Sequence, residues 1–207
     1  MTLQPETVGD RPQGGGLLIV VSGPSAVGKD TILDLVLASR EGLVHEVVRC
    51  VTVTTREPRA GEVDGVAYHF LSVVEFQRKA QEDGFLEYAN VFGNWYGTPR
   101  DWVNQQRERS IDVILKIDVQ GALAVKTKVP DAVLLFFRPP SLTELERRLR
   151  ARNTENEEQI ARRLLDARNE LAQVARYDYC VVNNEIDQAA DDLRAILRAE
   201  HNRTYRQ

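Results

Sequence analysis

The residues Gly23-Pro24-Ser25-Ala26-Val27-Gly28-Lys29-Asp30-Thr31 have the types and spacing to hold a polyphosphate. Gly23 and Gly28 bound a turn whose backbone N–H groups point inward, and Lys29 directly after it reaches the terminal phosphates. The apolar run 17–21 precedes the turn, and Ile32, Leu33, Leu35 and Val36 follow it at helical spacing. The helix dipole favours anions at that end. Strand, glycine-bounded turn and helix in this order read as a phosphate-binding loop for a nucleoside triphosphate. The pattern G-x-x-x-x-G-K-[ST] asks for a hydroxyl after Lys29, where this chain has Asp30 and then Thr31. Mg²⁺ is a hard cation that accepts carboxylate oxygen as well, so Asp30 is expected to hold it directly or through water, with Thr31 assisting.

A second set of residues suits a phosphate monoester and a base. Arg56 and Arg59 stand on a loop shaped by Pro58 and Gly61, where two guanidinium forks match a phosphate dianion. Thr52 and Tyr68 add hydroxyl donors. Guanine presents N1–H and N2–H beside the O6 acceptor, so a carboxylate and a hydroxyl read that edge, whereas adenine offers an acceptor at N1. Glu87 with Thr98 could supply the pair, and mispaired buried polar groups discriminate strongly. Spacing alone leaves open a solvated loop with incidental arginines and a plain surface glutamate.

These residues need a scaffold. Short apolar runs at 17–22, 47–53, 112–117, 132–137 and 179–182 read as buried strands, with shorter pieces at 67–71 and 86–92. Helical patterns between them give the alternation of an α/β fold, a parallel central sheet flanked by helices. Capping boxes are expected at Ser72…Glu75, Ser141…Glu144 and Thr154…Glu157. Ile160, Leu164, Ala167, Leu171 and Val174 mark one helical face over 157–175, and Ile186, Ala190, Leu193 and Leu197 mark another over 186–200. Residues 1–16 read as a disordered leader and 17–207 as one domain. Its core is expected at 17–51, 99–140 and 164–207, with an inserted lobe at 52–98 and a small helical lid at 141–163.

At 207 residues the chain can bury one sizeable core. Its net charge of −4 argues against a general nucleic-acid or membrane surface. No apolar run approaches a membrane span and no signal peptide is visible, so a cytoplasmic location is expected. Cys50 and Cys180 lie in separate strand-like runs without metal-ligand spacing and read as two core thiols in a reducing compartment. His45, His69 and His201 form no catalytic constellation in the sequence and read as surface or packing residues.

The segments VSGPSAVGKDT, TTREPRAGEVDGVAYHF, GNWYGT, IDVQGA and RRLRARNTENEEQIARRL stand in the order and spacing of guanylate kinases. The chain resembles that family over about residues 17–200. The resemblance implies a P-loop NTPase core and transfer of phosphate from ATP to GMP with Mg²⁺, and leaves dGMP and the oligomeric state open. It implies GMP phosphate contacts at Thr52, Arg56, Arg59, Tyr68 and Tyr96, and guanine readers at Glu87 and Thr98. Asp118 is similar to the family's acidic residue near substrate and metal. Arg148, Arg152 and Arg163 are similar to lid arginines that meet ATP and the transferring phosphate, and Asn183 to a contact near adenine.

The chain departs from the family at four places. Ala26 stands for a common loop glycine and is tolerable if its φ is negative. Asn153 replaces a glycine before Thr154, Lys116 occupies a position often acidic in relatives, and Asp30 makes ligation by a loop hydroxyl uncertain. Two other readings remain: a non-catalytic protein-binding module of the same fold, and a P-loop kinase for another small phosphate such as a phosphorylated sugar.

Overall fold

The computed structural model of the chain describes residues 15–91, 93–151 and 156–203. Its centre is a five-stranded parallel sheet. The strands are β1 (Leu18–Ser22), β2 (Val47–Arg49), β7 (Asp112–Lys116), β8 (Val133–Arg138) and β9 (Tyr179–Val182), in the order β2-β7-β1-β8-β9. β1 is covered on both faces, which is why its sequence is continuously apolar. Ile19 and Val21 pack with α1 (Lys29–Ala38) and α7 (Ile186–His201), through Ile32, Val36, Leu193 and Leu197. Leu18 and Val20 face the other way, onto Val103 of α3 (Arg100–Glu108) and Ala122 and Val125 of α4 (Val119–Lys128).

A second sheet is built from β3 (Val53–Thr54), β4 (His69–Phe70), β5 (Phe85–Val91) and β6 (Asn94–Pro99), ordered β4-β3-β6-β5. With α2 (Val73–Gln81) it encloses a small core of Val53, Phe76 and Phe85, against which Trp95 packs. The apolar run expected as one strand over 47–53 therefore divides. Its first residues pair with β7 in the central sheet, and Val53–Thr54 pairs with β4 and β6 in the other. β6 falls outside the strand pieces expected at 67–71 and 86–92. Gly97 is needed there because a Cβ would stand 2.9 Å from a ring carbon of Phe85.

The pair α5 (Leu142–Ala151) and α6 (Glu157–Leu171) packs through Leu145, Leu149 and Ala167. α6 runs unbroken through the boundary expected between 163 and 164. It ends at Leu171, so Val174 falls in a separate 3₁₀ turn, Val174–Arg176. The capping box expected at Ser72…Glu75 forms. At Ser141 only half of one forms: Glu144 N–H donates to the hydroxyl at 3.1 Å, while the Glu144 carboxylate is held by Arg147 and Arg148. Thr154 lies outside the described residues, and α6 is capped by Asn156 with Gln159, each donating a backbone N–H to the other's side chain at 2.9 Å. Glu157, freed from capping, pairs with Arg150.

Of the expected leader, residues 1–14 lie outside the described residues. Gly16 belongs to the fold, because Arg107 accepts from its N–H at 2.7 Å and donates to its carbonyl at 2.9 Å. Cys50 is a core thiol whose pKa burial pushes up to about 12, with the Glu87 charge adding to it. Cys180 is not: β9 is an edge strand and its thiol is exposed. No helix among the described residues is long and apolar enough to cross a membrane.

Candidate active site

β1 ends at Ser22 and α1 begins at Lys29, leaving a tight loop over the carboxyl end of the sheet. Only glycine fits its two ends. Gly23 has φ +142° and a Cβ there would lie 2.1 Å from the Phe137 carbonyl; Gly28 has φ +96° and a Cβ there would lie 2.5 Å from Asn183 Nδ2. Ala26 sits at φ +63°, so the expectation that its methyl requires a negative φ is corrected. The methyl is compensated by packing against Leu145, Leu149 and Ala167. Left-handed alanine costs roughly 1–2 kcal/mol relative to glycine, and a buried methyl returns about 0.8 kcal/mol. Ala26→Gly is therefore expected to shift stability by no more than about 1 kcal/mol in urea unfolding; a loss beyond that would mean the contact with α5 and α6 outweighs the backbone strain.

A hollow of about 370 Å³ opens over the loop, lined by Gly23, Ser25, Ala26, Gly28, Lys29, Asp30, Thr31, Lys116, Ile117, Asp118 and Glu170. Pro24 and Val27 shape it through their backbones, Val27 N–H donating to the Pro24 carbonyl at 3.3 Å. Lys29 folds over the turn, its ammonium donating to the carbonyls of Gly23 and, at 2.8 Å, Pro24. Lys116 donates to the Asp30 carboxylate, with Arg49 3.4 Å from the same oxygen. Burial works against the charged Asp30, yet the hydrogen bond and charge of Lys116, with Arg49 and Lys29 behind them, prevail and lower its pKa. Glu170 is pushed the other way, upward, by burial.

The three arginines expected on a lid are placed unequally. Arg163 reaches the loop and donates to Ser25 Oγ at 2.8 Å. Arg148 is held by Glu144 at 2.8 Å and donates to the Asn183 carbonyl at 3.1 Å. Arg152, with Asn153, lies outside the described residues. Asn183 is fully buried and donates to the Val27 carbonyl at 2.6 Å, so it braces the loop from behind.

A second hollow, of about 260 Å³, is lined by Thr52, Tyr68, Glu87, Ala89, Val91, Tyr96, Lys116, Ile117 and Asp118. Glu87 and Thr98 converge. The Thr98 hydroxyl, 1% exposed, donates to Glu87 Oε1 at 2.6 Å, so its single proton orients the carboxylate and is not offered to a ligand in this arrangement. Burial raises the Glu87 pKa, opposed by the Thr98 hydrogen bond and assisted by the Asp118 charge. Asp118 caps α4, accepting from Gly121 N–H at 2.8 Å. Arg56 does not line the hollow. Its guanidinium stands 5.4 Å over the Tyr68 ring, and its Nη2 donates to both Glu62 oxygens at 2.8 and 2.9 Å. Arg59 is exposed and its N–H donates to Glu62 at 2.8 Å. Glu62 is thus held by the Arg56 guanidinium and the Arg59 backbone together.

The two hollows share Lys116, Ile117 and Asp118 as a common wall. The sequence reading named no role for Glu62, Glu170 or Ile117. Glu62 could have been found as the acidic residue on the arginine loop; nothing in the sequence marks Glu170, which comes to the hollow from the far end of α6.

A parallel sheet whose central strand runs into a lysine-bearing glycine loop at a helix N-terminus defines the P-loop class of nucleotide-binding α/β proteins. The family model described as guanylate kinase matches residues 16–200. A guanylate kinase of Caldanaerobacter subterraneus subsp. tengcongensis is 47% identical over 185 residues, covering 89% of this chain and 88% of the relative. One from Streptococcus thermophilus is 48% identical over 191 residues, covering 92% and 90%. The crystal structure of guanylate kinase from Anaplasma phagocytophilum superposes with a TM-score of 0.71 at 34% identity, covering 93% of this chain and 89% of that one. The chain belongs to the guanylate kinase family.

Proposed function

We propose that the chain transfers the γ-phosphate of ATP to GMP, giving ADP and GDP. The shared wall carries this reading: a phosphate at the loop and one at the arginine lobe meet across Lys116 and Asp118 without leaving the protein. ATP occupies the hollow over Lys29, and GMP the hollow at Glu87, with its phosphate toward Tyr68, Tyr96 and the arginines. The GMP phosphate is itself the attacking group, so no side-chain nucleophile is required. Lys29 and Arg163 neutralise charge that builds on the transferring group, and Arg56 and Arg59 hold the acceptor in line once GMP displaces the Glu62 carboxylate. Residues 52–98 and 141–163 act as lobes that close and exclude water.

The oxygen donors fit a hard cation: Asp30 and Thr31 line the loop hollow, with Asp118 opposite. Held by Asp30 and Thr31, Mg²⁺ would supply positive charge against that of the phosphates. Asp30 Oδ1 is engaged by Lys116 in the resting protein, so a metal held there would share the carboxylate with that ammonium unless phosphate drew it away.

Lys116→Glu sets two carboxylates against each other and is expected to lower kcat/KM for ATP more than tenfold. Asp30→Ser added to it removes the repulsion and recovers much of the loss, a coupling of roughly 1–3 kcal/mol. Additive losses in the four-variant cycle would show that the pair does not act as a unit. The function itself is tested by ADP release with GMP, dGMP, AMP and a sugar phosphate as acceptors. GMP is expected to exceed AMP by at least about 10²-fold in kcat/KM. No acceptor-dependent release would favour a binding module, and preference for the sugar phosphate another kinase.

A further inference from the structure

Two histidines without any role in phosphate transfer come together at the amino end of the central sheet. His45 precedes β2, His201 ends α7, and Asp112 opens β7. Each offers a ligand atom within 4.8 Å of the other two, and among the described residues no other three His, Cys, Asp or Glu side chains do so. Asp112 is four residues before Lys116 along β7, so this cluster lies about 13 Å below the phosphate hollow.

The arrangement around these atoms is that of a supported ligand set. Asp112 Oδ1 accepts from Leu17 N–H at 2.8 Å, and Oδ2 lies 2.7 Å from His201 Nε2. The side chains of Asp112 and His201 are only 2% and 8% exposed. The His45 ring stacks on that of His201 at 4.2 Å, and its Nδ1 bonds the Ser110 carbonyl at 2.8 Å. A carbonyl can only accept, so Nδ1 carries the proton and Nε2 keeps the lone pair a metal requires. Metal-binding histidines are held in this way by a carbonyl on the second nitrogen.

We propose that His45, Asp112 and His201 form a binding site for a divalent borderline cation, zinc by preference, separate from the catalytic centre. Bonds of about 2.0–2.1 Å in tetrahedral array set ligand atoms roughly 3.3 Å apart. The present separations, from 2.7 Å to no more than 4.8 Å, bracket that value, and the His45 ring must also turn out of its stack on His201 for both lone pairs to converge on one ion. Binding moves the His201 proton from Nε2 to Nδ1 or to solvent, and a water completes the fourth position. Two imidazoles and one carboxylate select zinc, cobalt or nickel over the Mg²⁺ that accompanies ATP. Zinc there would tie the loop before β2, the head of β7 and the end of α7 together.

The test uses the full chain, stripped by chelator and free of nucleotide, titrated calorimetrically with zinc chloride and followed by thermal unfolding. Cys180→Ser is the working background, so that the exposed thiol takes no metal. One equivalent is expected, with a rise in Tm. His45→Gln, a half-buried position that leaves the Asp112–His201 bond in place, should weaken uptake by more than the roughly 10–100-fold typical of outer-shell losses. His45→Cys, again a ligand, should restore it. Zinc uptake that is absent, or unchanged in His45→Gln, would overturn the site, and neither outcome bears on the ATP and GMP reading.

Discussion

Lys29→Met is expected to lower kcat by at least about 10²–10³-fold while leaving the KM for GMP within a factor of about two. The side chain lines the hollow over the glycine loop and no part of the GMP hollow, so its loss removes charge from the transferring group alone. Methionine keeps the length and the apolar stem, and the loop carbonyls of Gly23 and Pro24 that the ammonium now holds can turn to water. An interaction made mainly in the transition state lowers kcat and kcat/KM together, and this variant should do so. Steady-state ADP release against GMP concentration decides it. Turnover within a few-fold of the parent would end the assignment of Lys29 as the principal cation.

The loop and its flanking elements were legible because their signals are local. Gly23, Gly28 and Lys29 lie within seven residues of one another, and the apolar run before them is continuous because β1 is covered on both faces. The division of 47–53 between two sheets was not legible, since Val47 and Val53 are equally apolar and neither glycine nor proline separates them. β6 was hidden for the opposite reason: its glycine, asparagine and aromatic residues read as a turn, and only the rings of Phe76 and Phe85 explain why Gly97 is a strand residue.

The site divides along the same line. Residue types named Glu87 and Thr98, but not that the hydroxyl spends its proton on the carboxylate. Arg56 and Arg59 read as a phosphate pair from the sequence, whereas the bonds of Glu62 to the Arg56 side chain and the Arg59 backbone became visible only in the structure. The bond from Lys116 to Asp30 spans 86 residues, beyond any spacing rule. It gives two departures from the family pattern a common physical reason: an added carboxylate at the loop is balanced by an added cation on β7.

Glu87→Gln is expected to reduce kcat/KM for GMP by roughly 10²–10³-fold, with the KM for ATP nearly unchanged. An amide retains one acceptor but turns its NH₂ toward a guanine N–H. The lost charged hydrogen bond and the unpaired donor together are worth roughly 3–4 kcal/mol. Preference over AMP should fall in proportion, because the amide no longer opposes adenine N1. Equal losses for both nucleotides would make Glu87 a structural residue. Stability should move the other way. Burial raises the Glu87 pKa, so the folded protein holds that proton more tightly than the unfolded chain. The resulting cost is absent below the unfolded pKa, grows between the two values and is complete above the folded one. Glutamine removes it, while Thr98 can still donate to the amide oxygen, so Tm is expected to rise relative to the parent as pH increases above the folded Glu87 pKa. The same shift makes GMP binding in the parent protein weaken, as pH falls, at a higher pH than an ordinary glutamate would set. That pH dependence should vanish in Glu87→Gln, and its persistence there would place the titrating group elsewhere.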